Sequence, residues 1–434
     1  MINSFFMRSL FIVFIACIGF NTLAQSSYFP PISGNTWAVE SPANLNWPSD
    51  SLASLNQFLQ NENTKAFIIL VDGKIAVEWY FDNFTQDSIW YWASAGKSLT
   101  SFLVGMAMEQ NALQLNDPVS QYLGQGWTSL SQPAEDSIQI IHQLSMTTGL
   151  DDGVSNSDCT QPSCLSFLAT PGTRWAYHNA PYTLLHDVLS SALGVTVNNF
   201  ILNNLTTSTG ITGLFLPVGD NEVFFSTPRS MARFGLLALE NGVWDGDTIL
   251  GDANYIQQMA QPSQSINESY GYLWWLNGQS SYMLPGLQFA FPGSLVPSGP
   301  SDMYMALGMN DQKIYVVPSS KMVVIRMGNP TSAVVPGPSG FDNDLWERLS
   351  FLEQQLTQSV NEVSDIVIFP SPASEFIQVD GVSRGDFTIY DISGKIWLRG
   401  SLYNGSLISI EGLPAGNYIF QMNEPAIQYP FVKS

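Results

Sequence analysis

The sequence predicts a mixed α/β protein, with helices flanking one antiparallel sheet, followed by a small all-β domain. Three observations carry this. Strongly apolar strand patterns stand near both ends of the region from Trp37 to Leu356, a nearly uncharged helix pattern lies between them, and after Glu353 the texture changes to short alternating strands separated by turn residues. A chain of 434 residues with 45% apolar content is long enough for two folded units.

At the N-terminus, MINSFFMRSLFIVFIACIGFNTLAQ places Arg8 before an apolar run from Leu10 to Phe20, with small residues at Thr22 and Ala24. That is the pattern of a secretory signal peptide over residues 1–24, with the mature chain starting near Gln25. The run is shorter than the roughly 20 residues a membrane-spanning helix needs, and no later stretch is longer. Lipid attachment at Cys17 is the alternative, but Phe14 to Ala16 suits that processing poorly.

AFIILVDGKIAVEWYF reads as two strands around the turn Asp72-Gly73. A second β pair is expected at MYMALG and KIYVVPSSKMVVIRMG, so that the sheet is built from both ends of the domain. Between them, KSLTSFLVGMAMEQNAL sets Leu99, Phe102, Leu103 and Met106 on one face at helical spacing and almost lacks charge, which predicts a buried helix. Further helices are predicted over PYTLLHDVLSSAL and STPRSMARFGLLALENG, the latter capped by Ser226 or Thr227 and stopped by Gly242. Beyond a polar linker, FTIYDI and KIWLRG form a hairpin around Ser393-Gly394, and LISIEGLPAGNYIFQM supplies another strand pair around Pro414 to Gly416. The expected organisation is a first domain over 25–357, a linker over 358–364 and a β-sandwich over 365–434.

Charge and cysteines narrow the function. Fifteen basic residues oppose 36 acidic ones, and a net charge of −21 excludes a nucleic-acid partner. Of three cysteines, Cys17 leaves with the signal, so Cys159 and Cys164 in SDCTQPSCL are expected to form a local disulfide in an oxidising compartment. A metal knuckle would need a shorter spacing and a second ligand pair. The chain has no His-Glu-x-x-His zinc motif, phosphate-binding loop or dinucleotide fingerprint, so no metal or organic cofactor is called for.

Of seven lysines only Lys97 has a serine three residues before it, Ser94, at the start of the buried helix pattern. That spacing puts both side chains on one face, where the amine can take the hydroxyl proton as the serine attacks a carbonyl. The lysine must be partly neutral near pH 7, and burial lowers its pKa. A lysine in the otherwise uncharged WYWASAGKSLTSFLVG is costly without a function or a partner. Further along, Tyr177-His178-Asn179 precedes the next helix, where a phenol and an amide can serve proton transfer and substrate hydrogen bonding. The structural alternative is a buried aromatic with its hydroxyl satisfied.

Both elements in this order, with IHQLSMTTGL, PGTRWAYHNAPYTLL, STPRSMARFGLLALENGVWDGDTIL and YGYLWWLN, resemble the class C β-lactamase, serine esterase and DD-peptidase family from Asn63 to Asn329. The resemblance implies an antiparallel sheet with an all-helical subdomain, and an acyl-enzyme on Ser94. It further implies Lys97 as general base, Tyr177 as proton shuttle and Asn179 as substrate contact, acting on a small-molecule or peptide ester or amide. The family's third motif should fall in ALGMNDQKIYVVP, where Met309-Asn310-Asp311 replaces its basic residue and glycine. Asn310 is then a substrate contact, Asp311 repels anionic β-lactams, and the oxyanion hole uses the backbone N–H of Ser94 and Gln312. The C-terminal segments IVIFPSPASEFIQV, FTIYDISGKIWLRG, LPAGNYIFQM and FVKS resemble the type A sorting domain of the type IX secretion system, which implies that machinery as a partner and export to the cell surface or beyond.

Other patterns fail. Gly381-Val382-Ser383-Arg384-Gly385 matches Gly-x-Ser-x-Gly but lies between short strands with no helix after it, and all three histidines precede it, the reverse of the α/β-hydrolase order. His142 and His186 fall in helical patterns and read as structural. Trp274 and Trp275 read as core, with a substrate cleft as the alternative.

Overall fold

The computed structural model describes residues 27–330 and 337–352, and beyond these 367–369, 371–380, 384–391, 394–403, 406–422 and 427–434. The expected signal peptide, the linker 358–364 and the segment Gly381 to Ser383 lie outside the described residues. The chain divides into two compact units: residues up to Glu40 with Gln60–Gly340, and Ser41–Leu59 with Phe341–Ser434.

In the first unit, β1 (Thr64–Val71) and β2 (Lys74–Tyr80) form the expected hairpin, and Asp72 and Gly73 take the left-handed φ values, 48° and 77°, of a tight two-residue turn. β3 (Trp90–Tyr91), β4 (Gly213–Val218) and β5 (Asn221–Ser226) make a separate three-stranded sheet in the order β3-β5-β4. β6 (Trp275–Leu276), β7 (Tyr304–Gly308), β8 (Gln312–Val317) and β9 (Met322–Gly328) complete the main sheet in the order β2-β1-β9-β8-β7-β6. The joint between early and late strands is β1 on β9, antiparallel, with Ile68 opposite Ile325 and Val71 opposite Met322. Every side chain of β9 is buried, which is why its sequence is almost continuously apolar rather than alternating.

Helix α1 (Gly96–Glu109) is buried from Gly96 through Ala107, as its lack of charge requires. Helix α2 (Asn179–Leu193) begins two residues earlier than the pattern placed it. Helix α3 (Pro228–Leu239) is capped by Thr227, whose hydroxyl accepts from the Ser230 N–H, and Gly242 (φ 77°) turns the chain after its last turn.

The second unit holds the helices Ser49–Asn61 and Gly340–Arg348, whose Phe58 and Phe341 rings stack at 5.6 Å, and a two-sheet β module. One sheet is β10 (Val367–Phe369), β11 (Phe376–Asp380) and β14 (Ser406–Ser409), and the other runs in the order β13-β12-β15-β16, with β12 Arg384–Asp391, β13 Ile396–Tyr403, β15 Gly416–Met422 and β16 Ile427–Lys433. The β12–β13 hairpin matches the expectation. LISIEGLPAGNYIFQM does not form a strand pair: β14 joins β11 in one sheet and β15 joins β12 in the other. The intervening turn carries the chain across the sandwich, and Ile408 and Phe420 enter one shared core with Ile377, Val379 and Ile389.

Candidate active site

The turn before α1 is anchored first. Trp92 is fully buried, its N–H donates to the Phe224 carbonyl (2.8 Å) and its indole N–H to the Ser226 Oγ (2.8 Å). Ala93 follows at φ 48°, a left-handed conformation that costs a non-glycine residue energy. The chain then swings through a one-turn 3₁₀ segment, Ala93–Ala95, which presents half-buried Ser94 at the head of α1. β7 closes against this turn so tightly that a Cβ on Gly308 would stand 2.3 Å from the Trp92 carbonyl oxygen, so only glycine fits there.

Lys97 Nζ donates to Ser94 Oγ at 3.1 Å, from a residue only 4% exposed. Its ammonium sits 4.2 Å from the centre of the Tyr182 ring and 5.3 Å from that of Tyr177. Burial pushes the amine down to about 7, opposed by the charge of Asp158. Tyr177 is stacked on Trp275 (5.7 Å, 21°) and packed against Trp175 and Tyr270. Burial pushes its phenol up, opposed by hydrogen bonding with Ser94. Trp274 and Trp275 are core residues, and Trp275 fixes the orientation of Tyr177. Behind Lys97, His186 is held by Thr100 Oγ1 (2.9 Å), and burial followed by the neighbouring Lys97 pushes it down to about 3.

A cavity of about 320 Å³ opens over this pair, lined by Ser94, Lys97, Asn179, Asp158, Glu222 and Tyr182 together with an apolar wall that includes Val223, Phe225 and Met309. Ser94, Lys97, Tyr177 and Asn179 therefore meet, but the third-motif residues do not join them in the way the sequence suggests. Asn310 and Asp311 both take left-handed φ values (61° and 59°), which breaks the side-chain alternation of the strand. Asn310 donates its amide to the Tyr91 hydroxyl (2.9 Å), and Gln312 is fully buried with its amide on the carbonyls of Asn310 and Gly328. Asp311 is 1% exposed, paired with Lys313 at 3.1 Å and accepting from Ser339 (2.6 Å). None of the three lines the cavity. Asp311 is thus not placed to repel a substrate, and Met309 is the motif residue that reaches the cavity.

Asp158 was not marked by the sequence. It accepts the Asn179 amide at 2.7 Å, its own N–H donates to Asn156 Oδ1 (3.1 Å), and the next residue forms the Cys159–Cys164 disulfide. Asn179 Oδ1 is buried without a hydrogen-bond partner. Among the described residues there is no cluster of His, Cys, Asp and Glu able to hold a metal ion, and no helix is long and apolar enough to cross a membrane.

A sheet flanked by helices, with a Ser-x-x-Lys pair at the head of the buried helix, defines the penicillin-recognising architecture. Residues 57–343 match the β-lactamase family, and the chain belongs to that family. Residues 367–429 match the secretion-system C-terminal sorting domain. An uncharacterised protein of Alkalihalophilus pseudofirmus is 22% identical over 285 residues, covering 59% of this chain and 77% of the relative. Among solved structures, a candidate 6-aminohexanoate-dimer hydrolase of Bacillus anthracis is 15% identical with a TM-score of 0.57, covering 77% of this chain and 92% of its own. A penicillin-binding protein homologue of Caulobacter crescentus is 12% identical with a TM-score of 0.54, covering 74% and 99%. At these identities the neighbours define the fold. The sorting domain marks the protein for export, to the cell surface or out of the cell.

Proposed function

We propose that this protein is a secreted serine hydrolase that cleaves an ester or amide through an acyl-enzyme on Ser94. The observation that carries the reading is Lys97 Nζ at 3.1 Å from Ser94 Oγ, with its amine lowered to about 7 by burial. Neutral Lys97 takes the hydroxyl proton as Oγ bonds to the carbonyl carbon. The tetrahedral adduct then collapses, and the bond to the leaving oxygen or nitrogen breaks as that atom receives a proton from Tyr177, which Lys97 replaces. Water adds to the acyl carbon, its proton returns by the same route to Oγ, and a carboxylic acid departs. The Ser94 N–H, at the positive end of α1, is one oxyanion donor. Gln312 does not border the cavity whereas Met309 does, and we assign the second donor to the Met309 backbone N–H.

We further propose that residues 1–24 are removed on export and that the C-terminal module is released or retained at the cell surface by the type IX machinery. Intact mass after reaction with a fluorophosphonate, and separately with a penicillin, tests the chemistry. An adduct on the native protein that Ser94→Ala does not acquire is expected. A folded native protein that takes up neither reagent would leave only a ligand-binding role for the cavity.

A further inference from the structure

Taking the hydrolase reading as given, we infer that the substrate carries a protonated amine on a short apolar arm, held by Asp158 with Asn179, and with Glu222 at the same cavity wall. The charges lining the cavity are two carboxylates, Asp158 and Glu222, and one amine, Lys97. In the form competent for attack Lys97 is neutral, so the cavity then holds an uncompensated double negative charge. An anionic ligand meets repulsion from both carboxylates, and a cation relieves it.

Asp158 is a pre-organised acceptor rather than a mobile surface carboxylate. One of its oxygens is fixed by Asn179 (2.7 Å), its backbone is tied to Asn156 (3.1 Å), and Asn156 in turn donates to Asp220 (2.8 Å). The disulfide between Cys159 and Cys164 closes the loop immediately after it. A separate observation points to a donor-rich ligand: Asn179 Oδ1 is buried with no partner, although the same amide is committed through its nitrogen to Asp158. An ammonium supplies three donors, and Asp158 lines the cavity beside Asn179 as an acceptor for them. Besides Ala93 and Asn221, the rest of the cavity is lined by Tyr91, Tyr182, Val218, Val223, Phe225 and Met309, which suits the methylene arm.

The test compares isosteric p-nitrophenyl esters on the full-length native protein: β-alanyl, in which an ammonium replaces the terminal methyl of the second, butanoyl, and hemisuccinyl, which is anionic. The expected order of kcat/KM is β-alanyl, butanoyl, hemisuccinyl, with about tenfold between neighbours. Asp158→Asn should bring the β-alanyl to butanoyl ratio down towards one, and Glu222→Gln should lower it less. The ratio within one variant cancels any change in the reactivity of Ser94. A native ratio at or below one, or a ratio unmoved by Asp158→Asn, overturns the inference while leaving the hydrolase reading intact. If no ester is turned over, the hydrolase reading fails and the inference is judged on binding alone. Calorimetric titration of Ser94→Ala with n-butylammonium and n-pentanoate should then show binding of the cation only, lost in the Ser94→Ala, Asp158→Asn double variant, and preference for the anion would sink it.

Discussion

Two of the seven lysines are buried in the same unit, and they are buried in opposite ways. Lys313 lies at 0% exposure on β8 with its ammonium 3.1 Å from Asp311 and donating to the Gly337 carbonyl. Among the described residues no carboxylate is in ion-pair contact with Lys97, which has the Ser94 hydroxyl and two aromatic rings instead. The first environment keeps a charge and uses it to hold the loop from Met309 to Gln312 in place beside the site. The second destabilises the charge and leaves an amine ready to accept a proton. The difference teaches that a buried lysine is informative through what surrounds it, because apolar burial alone turns it into a base.

Exchanging each lysine for methionine breaks the comparison most directly. Lys97→Met should reduce kcat/KM for a p-nitrophenyl ester by about 10³-fold or more, because Ser94 loses its base. Retention of activity within about tenfold would show that another group takes the proton. In urea denaturation Lys313→Met should cost about 3–5 kcal/mol, since the interior carboxylate of Asp311 loses its ion-pair partner at 3.1 Å. Lys97→Met should instead stabilise by about 1–3 kcal/mol at pH 6. The sign follows from proton linkage. The folded chain gives up the Lys97 proton near 7 and the unfolded chain holds it to 10.5, so the unfolded state binds more protons between these values. The cost of burying Lys97 is therefore complete below pH 7 and fades towards pH 10.5, and the advantage of Lys97→Met should fade with it.

The pH profile sharpens the same contrast. The acid limb of kcat/KM should report Lys97, with activity rising through about 7 as the amine loses its proton. Since Asp158 favours the protonated amine, Asp158→Asn should move that limb to lower pH, and a shift upward would contradict the assignment. The smallest effect is expected from Cys159→Ser with Cys164→Ser. Opening so short a loop should cost about 2 kcal/mol or less, read by thermal denaturation, and the β-alanyl preference should weaken as Asp158 loosens.

The sequence carried the parts of this site that are local and periodic. Ser94 and Lys97 are legible because three residues is one helical turn, and the sheet is legible because its strands are apolar without interruption. Asp158 was hidden: it sits in a polar loop far from Ser94 along the chain, and nothing in SDCTQPSCL distinguishes a carboxylate facing a cavity from one facing water. The placement of the Asn310 and Asp311 side chains has a different origin. The resemblance to the family's third motif put them at the site, but two successive left-handed residues turn Asn310 towards Tyr91 and Asp311 towards Lys313. In the C-terminal module, alternation named the strands correctly and could not say that Ser406–Ser409 and Gly416–Met422 belong to different sheets, since a hairpin and a crossing turn use the same residues.

The pairing of Thr64–Val71 with Met322–Gly328 also sets a timetable for synthesis. The first hairpin leaves the ribosome early, yet the free edge of Thr64–Val71 waits for a partner more than 250 residues downstream, made on the order of 10–50 s later. During that interval the nascent chain shows an open apolar edge and lacks Gly308 and Met309 beside the serine turn. Completion of the sheet, and of the site beside it, therefore waits for the last strands of the unit to be synthesised.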